Sequence, residues 1–143
     1  MFLISNRISD GGLLAFVNAI HQGGVNCLTK ISFRQNIVSD SSVVELAHAL
    51  LQFKLPKLEV LDLKSNRIRE KGCRAMCAYA RSASVATVID KYVDKSTGTT
   101  RDLNPVKYNE SHGLLKNINL SCNFIDRTKL RRFIERAPST VCF

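Results

Sequence analysis

The chain has 143 residues, 45% hydrophobic and 23% charged, with a formal net charge of +9. That balance suits one ordinary globular domain and excludes a disordered chain, and no apolar run approaches the roughly 18 residues of a membrane-spanning helix. The charge is uneven: residues 1–60 hold 5 Lys/Arg against 4 Asp/Glu, while residues 61–143 hold 16 against 8. The C-terminal half therefore carries the field and suits an acidic partner surface.

Residues 1–26 begin with Met1 and Leu3 at alternating positions of a short strand, followed by Asn6 and Ile8. Asp10-Gly11-Gly12 then opens a helix whose apolar positions, Leu13, Phe16, Val17 and Ile20, fall on one face. Gly23-Gly24 ends it. Nothing precedes Met1 and Leu3 to cover that end of the core, so a partner, or sequence missing upstream, is expected to cover it. The same N-terminus lacks the basic region of a secretory signal.

Residues 27–56 carry Leu28-x-x-Ile31-x-Phe33-x-x-Asn36-x-Val38, a second strand and turn. The next helix opens at Ser39-Asp40-Ser41-Ser42, with Glu45 placed to close a capping box. Val43, Leu46, Ala47 and Leu50 make its buried stripe, and Pro56 stops the chain from continuing as helix. Residues 57–83 repeat the pattern as Leu58-x-x-Leu61-x-Leu63-x-x-Asn66-x-Ile68, then Gly72 and a helix of small residues with Cys73, Met76 and Ala80.

Between 84 and 113 the pattern degrades. Val85-x-x-Val88 keeps the outer spacing, but Asp90 and Val93 stand where an inward leucine and the turn asparagine belong, and 95–105 is rich in turn formers. The expectation is a worn fourth copy with a strand and an irregular loop. Residues 114–143 restore the motif as Leu115-x-x-Ile118-x-Leu120-x-x-Asn123-x-Ile125, with a helix capped by Asp126 and running through Leu130, Phe133, Ile134 and Ala137 to Pro138. Its outer side holds Arg127, Lys129, Arg131, Arg132 and Arg136 against Glu135 alone. That is either a solvated face or a contact for an acidic surface.

The aligned asparagines, Asn6, Asn36, Asn66 and Asn123, are 30, 30 and 57 residues apart. The L-x-x-L-x-L-x-x-N pattern resembles the leucine-rich repeat. A period of roughly 28 to 30 residues with a full helix after the asparagine resembles the ribonuclease-inhibitor-like subfamily. The resemblance implies an α/β leucine-rich-repeat solenoid of about five repeats in a single domain. It would form a horseshoe segment with parallel strands on the concave side and helices on the convex side. It also implies that the asparagines are structural and that residues between the inward leucines point from the concave face. Those are Ser32, Arg34 and Gln35, then Asp62, Lys64 and Ser65, then Asn119, Ser121 and Cys122.

Fold alone does not fix function. The repeats imply a non-enzymatic protein-interaction or scaffold module within a larger assembly. Its candidate contacts are Arg34, Gln35, Asp62, Lys64, Asn119 and Ser121 on the strand face and Arg127, Lys129, Arg131 and Arg132 on the last helix. An RNA-binding subunit using the basic C-terminal half is the alternative, and a regulator of a small GTPase is a third. His21, His48 and His112 have no paired nucleophile or carboxylate spacing, and no phosphate loop, metal-ligand set or cofactor motif stands out. Five unpaired cysteines, at 27, 73, 77, 122 and 142, suit buried thiols in a reducing compartment. The expected location is therefore intracellular, cytoplasmic or cytoskeleton-associated.

Overall fold

The structure is a computed structural model that describes residues 1–52, 55–85 and 115–143; at 82–85, 127 and 132–134 it describes the backbone alone. Four short strands, β1 (Lys30–Ser32), β2 (Val60–Asp62), β3 (Asn117–Asn119) and β4 (Val141–Cys142), form one parallel sheet in the order β1-β2-β3-β4. An isolated parallel bridge between Phe2 and Ser32 adds a rung beside β1. Four helices separate these elements: α1 (Asp10–His21), α2 (Asp40–Leu51), α3 (Glu70–Val85) and α4 (Arg127–Ile134). Parallel neighbours need such crossovers, because a tight hairpin can join only antiparallel strands. α1 packs on α2, and α2 on α3.

The strand alternation decides what is buried. Ile31, Phe33, Leu61, Leu63, Ile118 and Leu120 are all at most 1% exposed and share one core with Leu13, Val17 and Ile20 of α1, Val43, Leu46 and Leu50 of α2, Met76 and Ala80 of α3 and Leu130 of α4. Phe16 meets Phe33 edge to face, with ring centroids 5.5 Å apart. Small residues bring the helices close to their surroundings. A Cβ on Gly72 would stand 2.7 Å from the Asp40 carboxylate and 2.9 Å from Ile68. The α1 helix ends as expected, with Gly23 at φ +79°.

Three asparagines hold the turns. Asn66 donates to the carbonyls of Leu63 and Lys64 in its own coil and of Phe33 in the coil before, and its Oδ1 accepts the N–H of Val38. Asn36 does the same with Phe33, Arg34, Leu3 and Ile8. Asn123 binds Leu63, Leu120 and Ser121 and accepts from both Asn66 and Ile68. Each therefore satisfies backbone groups of two successive coils at once. Asn6 departs from the expected role. It is exposed and donates only to Ile4 of its own turn, because among the described residues no coil precedes it.

The residue before each asparagine is left-handed: Ser5, Gln35, Ser65 and Cys122 have φ between 56° and 58°. None is glycine, so the conformation carries a steric cost on the order of 1 kcal/mol each. Cross-coil bonds offset it: the N–H groups of Ser5, Gln35 and Ser65 donate to the carbonyls of Arg34, Lys64 and Ser121.

Helix entry also links neighbouring coils, which corrects the capping-box expectation. Ser39 precedes α2 but makes no side-chain cap bond, and Glu45 lies 4.0 Å from His48 instead. The Asp10 carboxylate of α1 accepts the Ser39 N–H and the hydroxyls of Ser39, Ser41 and Ser42. Partial burial raises the Asp10 pKa, but the bonds from Ser39, Ser42 and Ser41 outweigh it and lower it to about 2. Asp40 of α2 repeats the device by accepting the N–H of Arg69, just before α3.

The worn fourth copy needs a further correction. Its residues 86–114 lie outside the described residues, yet β2 pairs directly with β3, Leu61 opposite Ile118, and Asn123 bonds the turn at Asn66. No strand stands between them in the sheet. The coils of Asn66 and Asn123 are therefore neighbours in the sheet despite their 57-residue spacing, and Val85, placed at an outer position of the worn copy, is the last residue of α3. A further rung comes instead from β4, where Val141 pairs with Ile118.

Candidate interaction face

The strand positions that point away from the apolar core form two rows across the sheet, in which Ser32 is itself buried. Phe2, Ser32, Asp62, Asn119 and Cys142 make the first, aligned by the bridge at Phe2 and the strand register. Ile4, Arg34, Lys64 and Ser121 make the second, two residues further along each coil. The continuing backbone pairing, Gln35 N–H to Lys64 carbonyl at 2.9 Å and Ser65 N–H to Ser121 carbonyl at 3.0 Å, keeps this second row in step. Parallel neighbours sit about 4.8 Å apart, so side chains along a row can be contacted together by one ligand.

A local device recurs along the first row. Asp62 Oδ1 accepts the N–H of Lys64 at 3.0 Å, Asn119 Oδ1 accepts the N–H of Ser121 at 3.0 Å, and the Ser32 hydroxyl accepts the N–H of Arg34 at 3.4 Å. Short side chains with an acceptor close such turns, which suits Ser, Asp and Asn at these places. The second Asp62 oxygen accepts the Ser32 hydroxyl at 3.3 Å. Asn119 also accepts the Ser121 hydroxyl at 2.7 Å.

The structure thus brings Arg34, Asp62, Lys64, Asn119 and Ser121 to one face. Gln35 sits beside it in the left-handed turn, where its Oε1 accepts the Ser5 hydroxyl. Lys129 and Arg131 stand apart on α4, exposed, the first 3.5 Å from Asp126 and the second 3.1 Å from Glu135. Asp126 caps that helix as expected. Hydrogen bonds from the Thr128 side chain and the Lys129 N–H lower its carboxyl pKa. The side chains of Arg127 and Arg132 lie outside the described residues.

The first rung of the strand face carries two apolar side chains: Phe2 is 70% exposed and Ile4 43%. They sit four and two residues before Asn6, as Asp62 and Lys64 sit before Asn66, so register alone could have found them. Ile37 and Phe124, each just after its asparagine, are exposed as well. Among the described residues no group of three or more His, Cys, Asp or Glu is placed to hold a metal ion. Cys73 and Cys77 are buried one helical turn apart. The Cys73 thiol pKa is raised by its hydrogen bond with Cys77 and by burial, which suits a neutral packing role.

Comparison with curated proteins finds no match. Residues 54–77 match the family model of the leucine-rich repeat. The match spans β2, the Asn66 turn and the first half of α3, and it supports a leucine-rich repeat protein whose parallel strands and helices fit that α/β fold.

Proposed function

We propose that the chain is a non-enzymatic protein-interaction module, working inside a larger intracellular assembly. In this reading its coils form a ribonuclease-inhibitor-like solenoid segment, with strands on the concave side of a horseshoe and helices on the convex side. The supporting observation is the contrast between the two sides of the sheet: inward positions are uniformly apolar, while the outward rows carry a different side chain on every rung. Side chains that pack no core and are not repeated are free to be set by a partner. RNA binding through the C-terminal half is the weaker reading, since Lys129 and Arg131 each have a carboxylate within 4 Å.

Photocrosslinking tests this directly. A photoreactive residue at Asn119, on the strand face, should give protein adducts that survive nuclease treatment, and one at His48, exposed on α2, should give none. Equal labelling from both positions, or adducts lost on nuclease treatment, would refute the strand face as a protein-binding surface.

A further inference from the structure

The second outward row contains two neighbouring cations that form no ion pair among the described residues. Arg34 is half-buried, and its Nε is buried without a hydrogen-bond partner among the described residues. Lys64, on the next coil and also half-buried, forms no ion pair among the described residues. Asp62 is the carboxylate nearest in the sheet register, and both its oxygens are already engaged, one by the Lys64 N–H and the other by the Ser32 hydroxyl. The Nε is closed from outside, so an acceptor from a partner would meet the terminal guanidinium nitrogens beside the Lys64 ammonium. The rung before these cations offers apolar surface, Phe2 and Ile4, in the same two rows.

We propose that Arg34 and Lys64 form a carboxylate-binding site for an acidic segment of a partner protein, which lays an aliphatic side chain on Phe2 and Ile4 while a Glu or Asp side chain takes the two cations. The site rests on the protein-interaction reading and names its ligand chemistry. A guanidinium pairs a carboxylate through two parallel N–H bonds, which an ammonium cannot reproduce. Charge alone is therefore insufficient at position 34. Each coil supplies one contact, so the ligand must run across the strands.

The probe is a short peptide alternating Glu and Leu, titrated into the full chain while side-chain NMR signals are followed. The Arg34 Nε–H signal should shift on binding. Arg34→Lys, which keeps the charge, and Lys64→Gln should each weaken binding by about ten-fold, the loss of one charge-assisted hydrogen bond. Arg131→Gln, on α4, should leave binding unchanged, and a peptide with Gln in place of Glu should not bind. Equal weakening by Arg131→Gln, full affinity in Arg34→Lys, a still Arg34 Nε–H signal, or preference for a six-residue oligouridylate over the peptide would each overturn the site. Protein adducts at position 119 that persist in Arg34→Lys would overturn it while leaving the interaction face standing.

Discussion

The two sides of the sheet differ in what each coil keeps. On the inner side Ile31, Leu61 and Ile118 occupy one row and Phe33, Leu63 and Leu120 the next, all closed from water, and the asparagines behind them repeat the same bonds. On the outer side the equivalent rows read Phe, Ser, Asp, Asn and Ile, Arg, Lys, Ser. Stacking requires every inner position to accept its neighbours, so chemistry there can vary only within narrow volume limits. The outer positions meet no such demand, and that is where a binding preference can be written without unsettling the fold.

Truncating the two sides should separate them most sharply. Leu61→Ala should destabilise the chain by about 3–4 kcal/mol, through lost burial and the cavity left among Ile31, Leu63 and Ile118. Lys64→Gln, three residues away, should change stability by less than about 0.5 kcal/mol. Chemical denaturation with comparable losses for both would break the distinction.

The turn provides a smaller and more selective contrast. Asn66→Ala removes four bonds to the backbone, three of them buried, and should cost about 2 kcal/mol. Asn6→Ala removes a single exposed bond within its own turn, so its denaturation midpoint should stay close to that of the wild type. Similar shifts would mean that bonding between coils is not what the asparagine supplies.

The smallest effect concerns acid. The Asp10 pKa is about 2 in the folded chain against an ordinary 3.8, so the carboxylate contributes stability that is complete above about pH 3.8 and fades as pH falls through 2. The stability difference between wild type and Asp10→Asn should be constant near neutrality and shrink across that window. A difference independent of pH would show that the serine bonds hold the protonated carboxyl as well as the carboxylate.

Much of this was readable from the residues. Inward apolar positions and the asparagine spacing located β1, β2 and β3, because burial and buried polar groups both restrict residue choice. The left-handed residues at 5, 35, 65 and 122 were not foreseen, since that conformation usually announces itself through glycine and here follows from cross-coil bonds to Arg34, Lys64 and Ser121. Ser39 with Glu45 looked like a local cap because pattern reading weighs near neighbours, while the real acceptor, Asp10, lies 29 residues back. A gap of 57 suggests two periods because spacing alone cannot show which coils are neighbours; the pairing of Leu61 with Ile118 does. On the candidate face, Arg34 and Lys64 follow from the register; the same register places Phe2 and Ile4, but at that end of the sequence only the inward Met1 and Leu3 draw attention, as the edge that needs cover.

The asparagine bonds run one way, from each turn to the coil before it, and this gives the stack a polarity under fraying. Detaching the last asparagine-bearing coil takes Asn123 away and leaves main-chain groups, the Leu63 carbonyl and the N–H groups of Asn66 and Ile68, fixed in the remaining coil without that partner. Of the asparagine bonds, detaching the first coil breaks only those that the Asn36 side-chain amide makes with Leu3 and Ile8, and a side chain can turn toward water where a held backbone cannot. The asparagine turns alone would therefore let the first coil come away under load with less resistance than the last, and the bonds from Ser39, Ser41 and Ser42 to Asp10 are what hold the first coil against that bias.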